Sequence, residues 1–151
     1  MAYYSAQRAA FTPSTSADNF SMYMNGGYLA VATIGWGGRG TGSAAYRTIW
    51  TRPTTNGVTF TAAATVQKLT PGAGNPAANF VTNWSTQPVL PAEPNHLFAQ
   101  DWDVHGGSGY LMLPETGRWI LCTTSTISHI SCRNIVGTDP NLSTYWAIWE
   151  E

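Results

Sequence analysis

A proline-rich stretch from Pro71 to Pro94, PGAGNPAANFVTNWSTQPVLPAEP, constrains the fold of this chain more than any other segment. It holds five of the nine prolines and no lysine or arginine. Because proline lacks a backbone N–H and fixes φ, this spacing disfavours both a helix interior and a central strand. The apolar residues of the stretch are too numerous for a free linker: Phe80, Val81, Trp84, Val89 and Leu90. We therefore predict a long, ordered connection that crosses the molecule with its aromatic side chains against a β core.

Strand-like segments lie on both sides of this connection. About nine short runs alternate apolar and polar residues between turn signals, at the spacing of an all-β sandwich or barrel. These runs are 19–24, 28–36, 45–52, 58–70, 96–105, 110–113, 118–124, 127–135 and 143–151. Asn25-Gly26-Gly27 is a hairpin signal between the first two runs. We predict an all-β fold, an antiparallel β-sandwich or barrel of jelly-roll type with a long Pro-rich connection.

The chain divides into an N-terminal arm, residues 1–18, and a single β domain, residues 19–151. Tyr3, Tyr4 and Phe11 give the arm aromatic anchors, and no sustained helical period runs through it. Such an arm either packs along its own domain or reaches a neighbouring subunit, and the sequence leaves both alternatives open.

Charged residues are unusually scarce. They make up 10% of the chain, with a net charge of −1, against about 25% in typical soluble domains. A nearly neutral surface favours association, so we expect partner subunits to cover much of it. Nucleic-acid binding needs clustered Lys and Arg, which are absent. The N-terminus lacks a signal-peptide h-region and no apolar run is long enough to span a membrane, so we expect cytoplasmic synthesis without a membrane partner.

No catalytic constellation emerges from the motifs, and we expect neither an enzyme nor a cofactor. No serine lies in a Gly-x-Ser-x-Gly elbow, and the glycine-rich loop from Gly35 to Gly42 lacks the Lys-Ser/Thr of a phosphate loop. Asp101, Asp103 and His105 share one strand face and could hold a divalent cation. The solvent face of a half-buried strand explains them better, so we predict no metal site.

The two cysteines, Cys122 and Cys132, lie ten residues apart. In a reducing cytosol, two buried thiols are favoured over a disulfide between them.

Seven tryptophans within an aromatic content of 13% are the most informative feature. Trp119 is expected in the core. Strict alternation places Trp146 and Trp149 on opposite faces, so that one is buried and the other faces solvent or an interface. Partner-contact candidates are the aromatic residues of the arm, the glycine-rich loop and the connection: Tyr3, Tyr4, Phe11, Trp36, Phe80 and Trp84. Exposed tryptophans also stack on sugars, which leaves a lectin-like role open.

Three pieces of the sequence carry a family resemblance. They are the opening SAQRAAFTP, the pattern P-A-A-x-F-x-T-x-W-S-x-Q-P-x-L from Pro76 to Leu90, and the final strand ending in Trp149-Glu150-Glu151. In these the chain resembles capsid decoration (cement) proteins of tailed bacteriophages, small β-rich virion proteins. The resemblance implies a homo-oligomer, a trimer, that is made in the host cytoplasm and binds the major capsid protein on the outer surface of the virion. A receptor- or glycan-binding domain of a tail or fibre is the alternative.

Overall fold

A computed structural model describes residues 1–38, 45–103, 105, 107–136 and 143–151, without the side chains of residues 25 and 122–127. The described residues form ten strands and one 3₁₀ turn, Glu115–Gly117. The strands are β1 Tyr3–Phe11, β2 Phe20–Gly38, β3 Ala45–Thr51, β4 Val58–Ala64, β5 Gln67–Lys68, β6 Asn79–Thr86, β7 Phe98–Asp103, β8 Ser108–Met112, β9 Trp119–Val136 and β10 Ser143–Glu150.

Two antiparallel sheets pack together, which confirms the predicted all-β sandwich. The first sheet runs in the order β4, β6, the first half of β2, the second half of β9, β3 and β7. The second sheet runs β5, β1, β10 and the second half of β2, beyond which lie β8 and the first half of β9. The jelly-roll order stays a prediction.

Strands β2 and β9 belong to both sheets and form the corner of the sandwich. The register between them shifts between Asn25 and Gly27, and Gly26 and Gly27 have φ values of +85° and +108°. The predicted hairpin at this position is wrong, because the two glycines form a bulge and not a turn. Pairing with β9 continues on both sides of it. Bulges of this kind bend a strand so that it passes from one sheet to the other. The prediction of separate strands at 118–124 and 127–135 is also wrong, because both runs belong to β9.

The core lies between the two sheets, and strand alternation selects its members. Tyr46, Thr48 and Trp50 share one face of β3 and are fully buried, and Ile49 and Thr51 on the opposite face are buried as well. On β2, an extra residue interrupts the register with β10, because Ile148 pairs with Thr33 and Trp149 with Val31. The inward parity of β2 changes twice, at the irregularity beside Gly26 and Gly27 and at this extra residue. The large buried apolar residues of β2 follow both changes, and Ala30 is buried in addition to them: Phe20, Met22, Met24, Leu29, Val31, Ile34 and Trp36.

A polar network lies inside this apolar core. The Oδ1 atom of Asn134 accepts hydrogen bonds from Asn19 Nδ2, Thr48 Oγ1 and Tyr145 Oη at 2.8–2.9 Å. Trp102 Nε1 donates to Thr48 Oγ1 at 2.9 Å. All five residues are buried. These hydrogen bonds tie strands of both sheets together. Asn19 Oδ1 and Asn134 Nδ2 are buried without a hydrogen-bond partner among the described residues.

The first half of the predicted arm is a strand of the second sheet. β1 pairs with β10 from Tyr3 to Phe11 and with β5 at Tyr4 and Ser5. Of the two alternatives for the arm, packing along its own domain is the one that the structure shows.

The proline-rich stretch is both a strand and a connection. The prediction of no central strand is wrong, because β6 fits between Pro76 and Pro88 and pairs with β2 and β4. The residues that follow β6, 87–97, form a connection that crosses the outside of the first sheet. There Pro88 O accepts a hydrogen bond from Arg133 Nη2 at 2.9 Å, and Val89 pairs with Thr55.

Cys132 is a buried free thiol, and burial raises its pKa well above the ordinary value. Cys122 lies on the same strand, and its side chain is outside the described part of the chain. Asp139-Pro140-Asn141, for which the sequence predicts a turn, and residues 39–42 of the glycine-rich loop also lie outside it. Gly35 to Gly38 belong to β2.

Candidate binding face of the second sheet

The solvent side of the second sheet, called the outer face here, collects the most exposed apolar side chains of this sheet. Tyr4 and Ala6 point from β1 into the core, so Ser5 and Gln7 point outward. On β10 the same alternation buries Tyr145, Ala147 and Trp149, whereas Trp146 and Ile148 face outward and are half-buried. This confirms the prediction that only one of Trp146 and Trp149 lies in the core.

A groove of about 660 Å³ opens on this face between β5, β1 and β10. Cross-strand neighbours form its floor, since Ser5 pairs with both Gln67 and Ile148, and Gln7 pairs with Trp146. Thr65 completes the outer wall. The outward-facing lining therefore consists of two hydroxyls, two amides, one indole and one isoleucine side chain.

The indole of Trp146 lies flat on the sheet because its neighbour on β2 is a glycine. A Cβ atom at Gly35 would lie 2.0 Å from Cε2, 2.2 Å from Cζ2 and 2.3 Å from Nε1 of Trp146. These nearly equal distances place one ring face directly over Gly35, so the opposite ring face points away from the sheet. Any larger residue at position 35 would displace the ring.

An apolar edge, defined by Tyr28, Tyr110, Met112 and Ile120, flanks the other side of the outer face. These side chains are exposed, Tyr110 and Met112 at 66% and 69%. Leu113 N donates to Ala32 O at 2.8 Å. In this register the backbone N–H and C=O groups of the odd-numbered residues of β8 point towards β2. The backbone groups of Ser108, Tyr110 and Met112 therefore point to the open side, where none of the described strands pairs with β8.

An ion pair lies between the groove and the apolar edge. Arg118 Nη1 pairs with Glu150 Oε2, whose side chain is 3% exposed. A hydrogen bond with Tyr3 is the main cause that raises the pKa of Arg118, and Glu150 raises it further. Because these charges satisfy each other, the ion pair leaves the outer face with little net charge.

A second, smaller pocket lies on the outside of the first sheet. It has a volume of about 350 Å³ and is lined by Tyr23, Phe60 and Trp84, with Gly57 and Thr59. Trp84 fills the floor, where its ring stacks on His129 at 5.3 Å and its Nε1 donates to Ser21 Oγ at 2.9 Å. Burial lowers the pKa of His129 to about 4, which keeps its imidazole neutral at pH 7.

Four of the six residues predicted to contact a partner are buried inside the chain itself. Tyr4, Trp36, Phe80 and Trp84 are at most 8% exposed and belong to the chain's own interior. Trp36 packs on Trp50, at 5.2 Å between ring centroids, and Trp84 packs as described above. Their side chains have little surface to offer a partner.

Two of the predicted contact residues keep some exposed surface. Tyr3 and Phe11 are half-buried, and the Arg8 guanidinium lies 4.0 Å from the centroid of the Phe11 ring. Their partner contact stays a prediction.

The acidic pair on β7 faces solvent as the alternation indicated. Asp101 is in an ion pair with Arg47 at 3.0 Å, and Asp103 Oδ1 accepts the backbone N–H of His105 at 2.7 Å. Among the described residues, no group of three or more His, Cys, Asp or Glu side chains is arranged to hold a metal ion. The contacts with Arg47 and with the backbone of His105 explain the positions of Asp101 and Asp103.

Sequence reasoning missed the residues that dominate the outer face. Trp146 was assigned to an interface or solvent only as an alternative to Trp149, and Tyr110 and Met112 were recognised only as a short strand. Gly35, which pairs with Trp146, is the signal that could have identified Trp146 as a surface residue. Finding that signal requires the register between β10 and β2, which the sequence alone does not supply.

No protein-family model and no curated protein matches this sequence. Within the part of the chain that the structure describes, no helix is long and apolar enough to cross a membrane. The outer face and the family resemblance of the sequence are therefore the two indications of function.

Proposed function

We propose that this chain is a non-enzymatic structural protein of a bacteriophage virion that decorates the capsid. It binds the outer surface of the assembled shell as a homo-oligomer, a trimer, and contacts the major capsid protein. The resemblance in the segments 5–13, 76–90 and 149–151 supports this proposal, and so does the scarcity of charge in the composition.

The apolar edge is the observation that carries the proposal. Tyr110 and Met112 expose large apolar side chains beside backbone groups that no described strand pairs. Such an edge pairs readily with a strand from another chain, and natural proteins usually block it with Lys or Pro. Strand β8 itself has the sequence SGYLM and carries neither. An edge of this kind suits docking on a capsid subunit by strand addition.

Stabilisation of the shell follows from linkage. A protein that binds the assembled shell and not its free subunits stabilises assembly by RT ln(1 + [L]/Kd), about 2.7 kcal/mol when free protein is at about 100 times Kd. The rigid sandwich carries the edge in a fixed geometry, which reduces the ordering cost of docking.

A binding assay with matched variants tests this proposal. Capsids of the phage that carries this gene, prepared without this protein, are mixed with the wild-type chain, with Met112→Lys and with Val58→Lys. Both positions are exposed apolar residues, and Val58 lies on β4 of the first sheet. We expect Met112→Lys to weaken cosedimentation with capsids by roughly tenfold, and Val58→Lys to bind as the wild type does. Equal binding by all three proteins would reject the apolar edge as the docking surface.

A further inference from the structure

We infer that the groove between β5, β1 and β10 is a binding site for an uncharged carbohydrate. The inference goes beyond capsid decoration and uses different residues, because the groove lies across Gly35 from the apolar edge. Its parts are the indole platform of Trp146 and the polar side chains Ser5, Gln7, Thr65 and Gln67.

The polar lining matches the hydroxyl groups of a sugar. Serine and threonine hydroxyls both donate and accept hydrogen bonds, and a glutamine amide provides two donors and one acceptor site with two lone pairs. A saccharide hydroxyl likewise donates and accepts, so each of the four side chains has a complementary partner on it. None of the lining residues is ionisable. A phosphate, sulfate or carboxylate would therefore lose its hydration without gaining a counter-ion.

The indole of Trp146 supplies the apolar surface that a sugar ring needs. One face of the indole rests on Gly35, so the opposite face points away from the sheet, and Trp146 is one of the side chains that line the groove. The face of an aromatic ring carries negative electrostatic potential, which attracts the polarised C–H groups of a pyranose. Because the sheet already holds the ring flat, ligand binding costs little side-chain ordering.

The size and shape of the groove agree with a short oligosaccharide. Its volume of about 660 Å³ lies within the range of small-molecule sites. All of these side chains except Thr65, which lies between β4 and β5, come from three neighbouring strands of one sheet, so the strand pairing fixes their spacing.

Saturation-transfer NMR and titration calorimetry on the full chain test this inference. The probes are maltohexaose, cellohexaose and a galactose-containing tetrasaccharide as neutral sugars, with a sialylated and a sulfated oligosaccharide as charged comparators. We expect at least one neutral probe to bind and the charged ones not to bind. Trp146→Ala should weaken that binding by roughly tenfold, as the loss of one stacking platform does for nucleobases.

Three further variants separate the effect of the Trp146 platform from general effects on the fold. Gly35→Ala retains Trp146 but places a Cβ within 2.0 Å of its ring, so binding should fall as in Trp146→Ala. Gly74→Ala, where a Cβ meets nothing within 4 Å, and Tyr110→Ala at the apolar edge should bind as the wild type does. If Trp146→Ala fails to fold, Gln67→Ala is used, with an expected weakening of roughly threefold for one lost hydrogen bond.

Three outcomes would overturn the inference. They are no binding of any neutral probe, binding of charged probes alone, and binding that Trp146→Ala and Gly35→Ala leave unchanged. Sugar binding in the groove does not depend on the apolar edge, so a Met112→Lys variant that loses capsid binding should still bind the sugar. The two proposals can therefore fail independently.

Discussion

His129 makes the stability of this protein depend on pH. Its side chain is 2% exposed and stacks on Trp84, while Tyr23 lies across from it on β2. Neither ring nitrogen has a hydrogen-bond partner among the described residues. An imidazolium at this position would lose its hydration without compensation, and burial accordingly lowers the pKa of His129 from 6.5 to about 4.

The direction of the effect follows from proton linkage. The folded-state pKa lies below the unfolded value, so the unfolded chain binds the proton more readily. The contribution of His129 to stability is therefore complete above pH 6.5 and is lost as the pH falls from 6.5 to about 4. At about 1.4 kcal/mol per pH unit, the full loss is about 3 kcal/mol.

Urea unfolding of the wild type and of His129→Gln at pH 7.5 and pH 4.5 measures this contribution. Glutamine does not titrate, and the carboxylates, including the buried Asp18, titrate in both proteins. The wild type should therefore lose about 2–3 kcal/mol more than the variant between the two pH values. A loss that is equal in the two proteins within about 0.5 kcal/mol would refute the reasoning, because it would mean that the imidazole is protonated equally in both states.

Three further substitutions test the packing. Trp149→Ala removes a fully buried ring that stacks on Tyr4 of β1. It should lower the free energy of unfolding, measured in urea, by about 3–5 kcal/mol. A loss below about 1 kcal/mol would contradict the assignment of this ring to the core. Asn134→Leu removes the acceptor that three buried donors share, and only Thr48 and Tyr145 can still pair with each other, at 3.0 Å. It should cost about 2 kcal/mol or more by the same method, whereas a neutral result would show that the donors find other partners. Gly57→Ala places a Cβ 2.6 Å from the Trp84 ring and should lower the melting temperature and change the near-UV circular dichroism, with Gly74→Ala as the unchanged control. An unchanged spectrum for Gly57→Ala would place the ring elsewhere.

The sequence predicts the fold class well because alternation is a local property. The shared face of Tyr46, Thr48 and Trp50 on β3 and the opposite faces of Trp146 and Trp149 follow from period-two patterning. The proline-rich crossing over the first sheet follows from the chemistry of proline. Each of these features depends on a few consecutive residues.

The errors concern features that depend on distant parts of the chain. The bulge at Gly26 and Gly27 has the same local signal as a hairpin, and only the continued pairing with β9 distinguishes the two. The position of Trp84 in the proline-rich stretch makes it a candidate partner contact, yet the outer surface of the first sheet buries it. The extra residue in β2 changes which side chains face the core, and so assigns Trp36 to the interior.

The candidate site was predictable only in its chemistry. The scarcity of charge indicated an uncharged contact surface, and the tryptophan content indicated aromatic contacts. The groove itself brings together β1, β5 and β10, which are separated by more than fifty residues in the chain. Its composition follows from their register, which sequence patterning does not supply.

The copy number of this protein in purified virions tests the central proposal most directly. Particles of the phage that carries this gene are purified, and this chain is quantified by mass spectrometry against the major capsid protein. A decoration protein should be present in numbers comparable with the capsid subunits. A handful of copies per particle would contradict capsid decoration and assign the protein to the tail, and complete absence would contradict a virion role altogether.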